Sequence, residues 1–398
     1  MLALTLLPAI LLALRVSAGP VVVDENIVSL PIARRINATT VVDIKQADYA
    51  RIANFKAGKS KRVSEPVSNQ LVSYIASVGV GSPATSYDLI VDTGSSNTWV
   101  GAGKNYVKTS TSTRTGRSVS VSYGSGQFSG EEYTDRVTLA RGLVINKQSI
   151  GGATSASGFN NVDGILGIGP VDLTQGTLGN SNSEIPTVVD NLFSAGTISS
   201  DVIGISFEPT TSSVDNNGAI SFGGPDSSKY TGSISYTPVT SVSPAGEYWG
   251  IEQSITYGTT SLMSRTAGIV DTGTTLIYLP TSAYNKYQRA TGAVADNATG
   301  LLRITSAQYS SLKNLNFLIG GTTHSLTPNG QIWPRSLNSA IGGTSGRIYL
   351  VVGDNGPSGS GLDFINGYAF LERFYSVFDT GNNRVGFAST SFTSATTN

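Results

Sequence analysis

Residues 89–96 read LIVDTGSS and residues 268–275 read GIVDTGTT. Twice in one chain, an apolar run ends in Asp, turns through Thr-Gly and continues into two hydroxyl residues. A carboxylate placed directly after a buried strand is costly unless it is hydrogen-bonded. A glycine two residues on lets the backbone fold back so that its N–H faces the carboxylate. The hydroxyls of Ser95 and Ser96, or Thr274 and Thr275, add further donors. Such a loop holds a carboxylate in one orientation. A third Asp-Thr-Gly, at Asp379, runs into Asn382-Asn383 between two strand-like stretches, Tyr375–Phe378 and Val385–Phe387. Gly and Asn tolerate the positive φ of a hairpin, so this copy reads as a turn.

The match between the first two copies extends downstream. Ile165-Leu166-Gly167 follows Asp92, and Phe364-Ile365-Asn366-Gly367 follows Asp271. Two copies at this separation predict a duplicated lobe; solenoid repeats have far shorter periods. If the lobes face one another, Asp92 and Asp271 meet at the axis between them. Two carboxylates in contact share one proton. One can then serve as general base on a water while the other acts as general acid toward a carbonyl oxygen. A single Asp-Thr-Gly could equally cap a turn.

Composition narrows the chemistry. The 398 residues suffice for two lobes with cores of their own, and 46 glycines with only 13% charged residues predict a β-rich, turn-rich chain. There is no cysteine and one histidine, His324. Disulfides, thiolate metal sites and a Cys nucleophile are excluded, as is a multi-histidine zinc site. A Ser-His-Asp triad would have to use His324, which reads as an ordinary turn or strand residue. Strand-like runs include 71–80, 118–126, 202–207, 231–239 and 348–353; short helices are predicted at 185–196 and 282–292. The class is all-β with minor helices.

The N-terminal part of the chain reads as processing signals. Residues 1–18, MLALTLLPAILLALRVSA, form a short apolar run with a small-residue end, interrupted by Pro8 and Arg15. A cleaved secretory signal fits better than a membrane anchor, which needs about 20 apolar residues. Residues 19–62 carry a net charge of +4 and end in Lys-Ser-Lys-Arg, whereas the body from Val63 onward carries −5. This reads as a basic pro-segment; the alternative is a flexible cationic arm. The expected divisions are signal 1–18, pro-segment 19–62, an N-terminal lobe 63–237 and a C-terminal lobe 238–398. Asn37 and Asn297 begin glycosylation sequons, and only Asn297 would remain in the mature chain.

These motifs resemble those of the pepsin-like aspartic proteases of fungi and animals. The similarity spans the whole chain, pro-segment included, and rests on 89-LIVDTGSSNTWVGA-102, 121-VSYGSGQFSG-130, 163-DGILGIGP-170, 268-GIVDTGTTLIYLP-280 and 362-LDFINGYAFLERFYSVFD-379. The resemblance implies a bilobal double-barrel fold with an inter-lobe cleft, and Asp92 and Asp271 as the catalytic pair. It implies that Thr93 and Thr272 interlock the two loops, with Gly94 and Gly273 in their turns, and that Ser95 and Thr274 bind the outer carboxylate oxygens. It makes Tyr123, Gly124 and Ser125 the tip of a flap over the substrate, with Trp99 hydrogen-bonded to Tyr123. Read from the residues alone, Tyr123 with Gly-Ser-Gly is a hairpin tip and Trp99 is a core residue. Two departures stand out. Asn366 occupies a position where the family often has Leu, so the second supporting loop is expected to be hydrogen-bonded differently. Ser125 replaces an Asp that some fungal relatives use to accept Lys, which favours apolar or aromatic residues at the scissile bond.

The resulting expectation is a secreted, extracellular acid endopeptidase made as a zymogen and working as a monomer. It would cleave polypeptides without cofactor or metal, be sensitive to pepstatin-type inhibitors, and bind neither nucleic acid nor membrane. The pro-segment is expected to occupy the cleft, with Lys56 or Lys45 near the dyad. Two alternatives stay open on the residues: a glycosidase with paired carboxylates, and a binding protein with a dead site on the same fold.

Overall fold

The structure, a computed structural model, describes residues 27–36, 43–57, 72–124, 126–179 and 181–398. The signal 1–18, the basic junction 59–62, Val63, the Asn37 sequon and Ser125 lie outside those residues. The β-rich composition yields the expected all-β, bilobal fold with few, short helices. The predicted runs appear as strands Val72–Val80, Thr113–Ser122, Val202–Phe207 and Thr231–Pro238, and as the pair Ile348–Leu350 and Val352–Asp354. The predicted helices are Val188–Ser194 and Thr281–Thr291. Thr187 caps the first in a reciprocal capping box with Asp190, and Gly292 closes the second at φ 68°.

One sheet of thirteen strands runs through the first half and across the lobe junction. At its centre the strand Val28–Ile36 lies between Val72–Val80 and Val214–Phe222, antiparallel to both. The C-terminal hairpin Phe374–Asp379 and Arg384–Ser389 joins the same sheet beside Val202–Phe207. A seven-stranded sheet and a smaller three-stranded one, Val294–Ala295, Leu302–Ile304 and Ile348–Leu350, make up the rest of the second half.

The duplication is visible in the register. The strand Thr85–Asp92 runs parallel to Gly164–Gly167, which pairs antiparallel with Thr98–Val100. In the second half Thr260–Val270 runs parallel to Phe364–Asn366, which pairs antiparallel with Ile277–Leu279. Each apolar-pair segment therefore lies between the strand entering a carboxylate loop and the strand leaving it. Asp379 ends its strand opposite Arg384, at a hairpin with Asn383 at φ 49°. Its carboxylate is nevertheless buried, bonded by Asn382 and by Arg384 at 2.7 Å, so the third copy is a structural turn with an ion pair. His324 lies on the strand Thr322–Leu326, buried against Phe374 and Phe387, and burial pushes its pKa down to about 4. It is a core residue.

Candidate active site

Asp92 ends its strand, and Asp271 follows directly on the end of its own. Each carboxylate receives the donors that the loop sequence supplies. Gly94 N–H donates to Asp92 Oδ1 at 3.0 Å and Ser95 Oγ to Oδ2 at 2.5 Å. Gly273 N–H donates to Asp271 Oδ1 at 3.2 Å and Thr274 Oγ1 to Oδ2 at 2.5 Å. Thr93 N–H donates to Thr272 Oγ1 and Thr272 N–H to Thr93 Oγ1, both at 3.0 Å. This reciprocal pair ties the loops together across the lobe junction.

The two glycines are set by this approach. A Cβ on Gly94 would lie 2.6 Å from Asp271 Oδ1, and one on Gly273 would lie 2.9 Å from Asp92 Oδ1. Both distances are shorter than any tolerable carbon–oxygen contact, so the loops pass too closely for a side chain. Asp92 and Asp271 are 1% and 0% exposed.

Between the carboxylates lies a guanidinium. Arg51 Nη2 bonds Oδ1 of Asp92 and, at 2.8 Å, Oδ1 of Asp271; Arg51 Nε bonds Asp271 Oδ2 at 2.7 Å. Burial works against the Arg51 cation, but the charges of Asp271 and Asp92 outweigh it and raise its pKa further. Its carrier, the helix Ile44–Ala57, crosses the groove. Asn54 Nδ2 donates to the Ser122 carbonyl on one side at 3.3 Å, and Lys56 Nζ reaches the Asn355 carbonyl on the other. Asp48 accepts from Thr275 N–H and Leu276 N–H at 3.1 and 3.2 Å. Burial is the main reason its pKa rises to about 7, opposed by those donors and by the Tyr278 hydroxyl.

The expectation of Lys56 or Lys45 beside the dyad is corrected: Arg51 takes that place. At about 100° per residue, Lys45 and Lys56 lie some 120–140° around the helix from Arg51. Lys45 Nζ sits over the Tyr49 ring instead. The buried face comprises Ile44, Ala47, Asp48, Arg51, Ile52, Asn54 and Phe55. Its three- and four-residue spacing was available in the sequence. Two of its members are charged, so an apolar-periodicity reading passes over it.

The flap hairpin joins Thr113–Ser122 to Gln127–Ala140, with Tyr123 N–H bonded to the Gly126 carbonyl at 2.8 Å and Gly124 at φ 77°. Trp99 and Tyr123 meet through their rings, centroids 6.4 Å apart, and Phe159 packs edge-on against both. The expected Trp99–Tyr123 hydrogen bond is corrected: Trp99 Nε1 has no hydrogen-bond partner among the described residues. The helix lies beneath the hairpin, so close that a Cβ on Gly124 would collide with the Ala50 carbonyl, and the Tyr123 ring packs in the aromatic cluster with Trp99, Phe128 and Phe159. Asn297 is exposed in the turn before Leu302–Ile304.

Paired carboxylate loops on duplicated β-lobes define a class of peptide hydrolase, and this chain belongs to it: it matches the eukaryotic aspartyl protease family over residues 73–390 and is a pepsin-like aspartic endopeptidase. Among its relatives, polyporopepsin of Irpex lacteus is 65% identical over 338 residues, 84% of this chain and 99% of that protein. Pepsin A of Sus scrofa is 30% identical over 397 residues, 92% of this chain and 97% of that one. The crystal structure of aspartic proteinase from Irpex lacteus superposes with a TM-score of 0.82 at 58% identity, covering 94% of this chain and 100% of its own. The glycosidase alternative falls with this assignment.

Proposed function

We propose that Asp92 and Asp271 hydrolyse peptide bonds by activating one water between them, without a covalent intermediate. The observation that carries this reading is that a single nitrogen, Arg51 Nη2, hydrogen-bonds both carboxylates. One atom fits there, and a water of similar size can replace it once the helix leaves. One carboxylate then removes a proton from that water while the other, protonated, donates to the scissile carbonyl. Ser95 and Thr274 steady the outer oxygens, and Tyr123 with Gly124 and Ser125 closes over an extended peptide, which the flap edge can pair as a strand. Apolar or aromatic residues are expected at the cleaved bond. Asp92→Asn and Asp271→Asn should each lower kcat by at least about 10³-fold with the fold retained. Near-native hydrolysis by either purified variant would refute the dyad.

The chain is read as a secreted zymogen whose segment 19–62 inhibits the lobe pair that follows, divided near residue 237. Arg51 supports this at the dyad, and Arg34 supports it at a second point: fully buried, it donates to the Thr210 carbonyl at 2.9 Å and lies 3.6 Å from Glu372. Protonating either dyad carboxylate removes an ion pair from Arg51, so acid weakens docking. Mixing the zymogen at pH 7 and at pH 3 with a casein peptide and a pepstatin-type inhibitor tests it. Equal, inhibitor-sensitive cleavage at both values without loss of the segment would count against latency.

A further inference from the structure

We infer that Gln253 and Asn366 form a positioning pair for the second carboxylate loop, fixing Asp271 through the backbone of Asn366; this rests on the dyad reading of Asp271.

Gln253 Nε2 donates to Asn366 Oδ1 at 3.1 Å, and Asn366 Nδ2 donates to Gln253 Oε1 at 2.9 Å. The two amides close a ring of two hydrogen bonds, and both residues are 0% exposed. The register shows what stands there in the other half. Val78 opposes Tyr87 and Gln253 opposes Thr266; Leu166 lies beside Val91 and Asn366 beside Val270. The separation of 179 residues that carries Thr93 to Thr272 also carries Tyr87 to Thr266 and Val91 to Val270. Gln253 therefore occupies the place of Val78, and Asn366 the place of Leu166, two residues that are also 0% exposed.

Stability alone does not call for amides here. Replacing both partners of a buried hydrogen bond by apolar groups of similar shape is close to neutral. An amide ring adds direction, since it fixes the angle and distance of the residue that carries it. That residue is well placed to pass the restraint on. The Asn366 carbonyl accepts from Asp271 N–H at 3.2 Å, and the Asn366 backbone registers with Val270 on one side and Ile277 on the other. Both ends of the loop 271–276 are thus measured from one residue. In the first half, Leu166 makes the corresponding backbone pairings but is held by packing. On and beside the strands around the pair the ionisable groups are Glu252, Tyr257, Arg265, Asp271, Tyr278 and Asp363; the Tyr257 hydroxyl accepts from Lys313 N–H and Asp363 accepts from Thr266 Oγ1. Glu252 alternates to the opposite face of its strand from Gln253 and pairs with Arg265, and the Tyr278 hydroxyl is held neutral by burial.

Kinetics of the mature enzyme test the role. The double variant Gln253→Val/Asn366→Leu installs the first-half pair. Its kcat should fall about 5- to 50-fold while KM stays within about 2-fold, because loop geometry and not peptide binding is disturbed. The exchanged pair Gln253→Asn/Asn366→Gln should return kcat to within about 3-fold of the parent. An apolar double variant with parental kcat would reduce the pair to core filling and overturn the inference. Asn366→Asp serves if the double variant does not fold. Protonated, the new carboxyl can still donate to Gln253 Oε1; ionised, it loses that donor and repels the oxygen. Its alkaline activity limb should move to lower pH by at least about half a unit, reversibly on re-acidification. A profile superimposable on the parent's would overturn the inference. Neither result bears on the dyad itself, which Asp271→Asn tests separately.

Discussion

The loops around Asp92 and Asp271 present matching donors at their tips and different chemistry beneath. Above, each carboxylate has one glycine N–H and one hydroxyl at 2.5 Å. Below, the first loop rests on Val78 and Leu166, and the second on Gln253 and Asn366. Only the second loop is gripped from outside by Asp48, through Thr275 and Leu276. Duplication preserves what touches the two carboxylates, while the support under each copy follows its own packing problem.

The largest test of this comparison is the equivalence of the tips. Asp92→Asn and Asp271→Asn should lose activity equally, by about 10³-fold or more in kcat. A residual rate tenfold higher in one variant would break the equivalence. Next is Arg51, which serves both loops at once. In a synthetic peptide spanning residues 27–57, Arg51→Gln leaves buried carboxylates without their cation, a loss of about 3–5 kcal/mol. The inhibition constant against mature enzyme should rise on the order of 10²- to 10³-fold; an unchanged constant would detach Arg51 from latency.

The supports give smaller effects. Leu166→Ala should cost about 2–5 kcal/mol as a cavity, whereas Asn366→Ala adds the penalty of an unpaired Gln253 amide, about 1–3 kcal/mol, to a smaller lost volume. Urea unfolding measures both, and Gln253→Leu should relieve part of the second loss only. The smallest effect is a slope. Docked Asp48 titrates near pH 7 because it is buried, and free aspartate titrates near 3.9. The docked helix therefore takes up a proton as pH falls through 7, and this contribution strengthens docking until about pH 4. It opposes the acid-driven loss of the Arg51 pairs. In the 27–57 peptide, Asp48→Asn should steepen the rise of log Ki on acidification by up to about one per pH unit; an identical slope would exclude Asp48 from the linkage.

Much of this was readable beforehand because the decisive signals are local. Asp, Thr-Gly and two hydroxyls encode a carboxylate loop within eight residues, and its repetition after Ile269-Val270 encodes the two lobes. What escaped is non-local. Arg51 looks like one of several basic residues until a helix turns it onto the same face as Ile52 and Phe55. Asn366 could be flagged as unusual, but its partner lies 113 residues earlier and no spacing rule connects them. The Trp99–Tyr123 contact is one of tertiary packing, with Phe159 edge-on against both rings.

The reciprocal bonds of Thr93 and Thr272 carry a consequence for biosynthesis. The first threonine leaves the ribosome 179 residues ahead of the second, an interval of about 9–36 s at ordinary elongation rates of ~5–20 residues per second. Through that interval the early loop has no hydroxyl to receive its amide. The Asp92 loop is therefore completed only once Thr272 has been made, and the sheet that carries it closes later still, when the hairpin Phe374–Asp379 and Arg384–Ser389 is added.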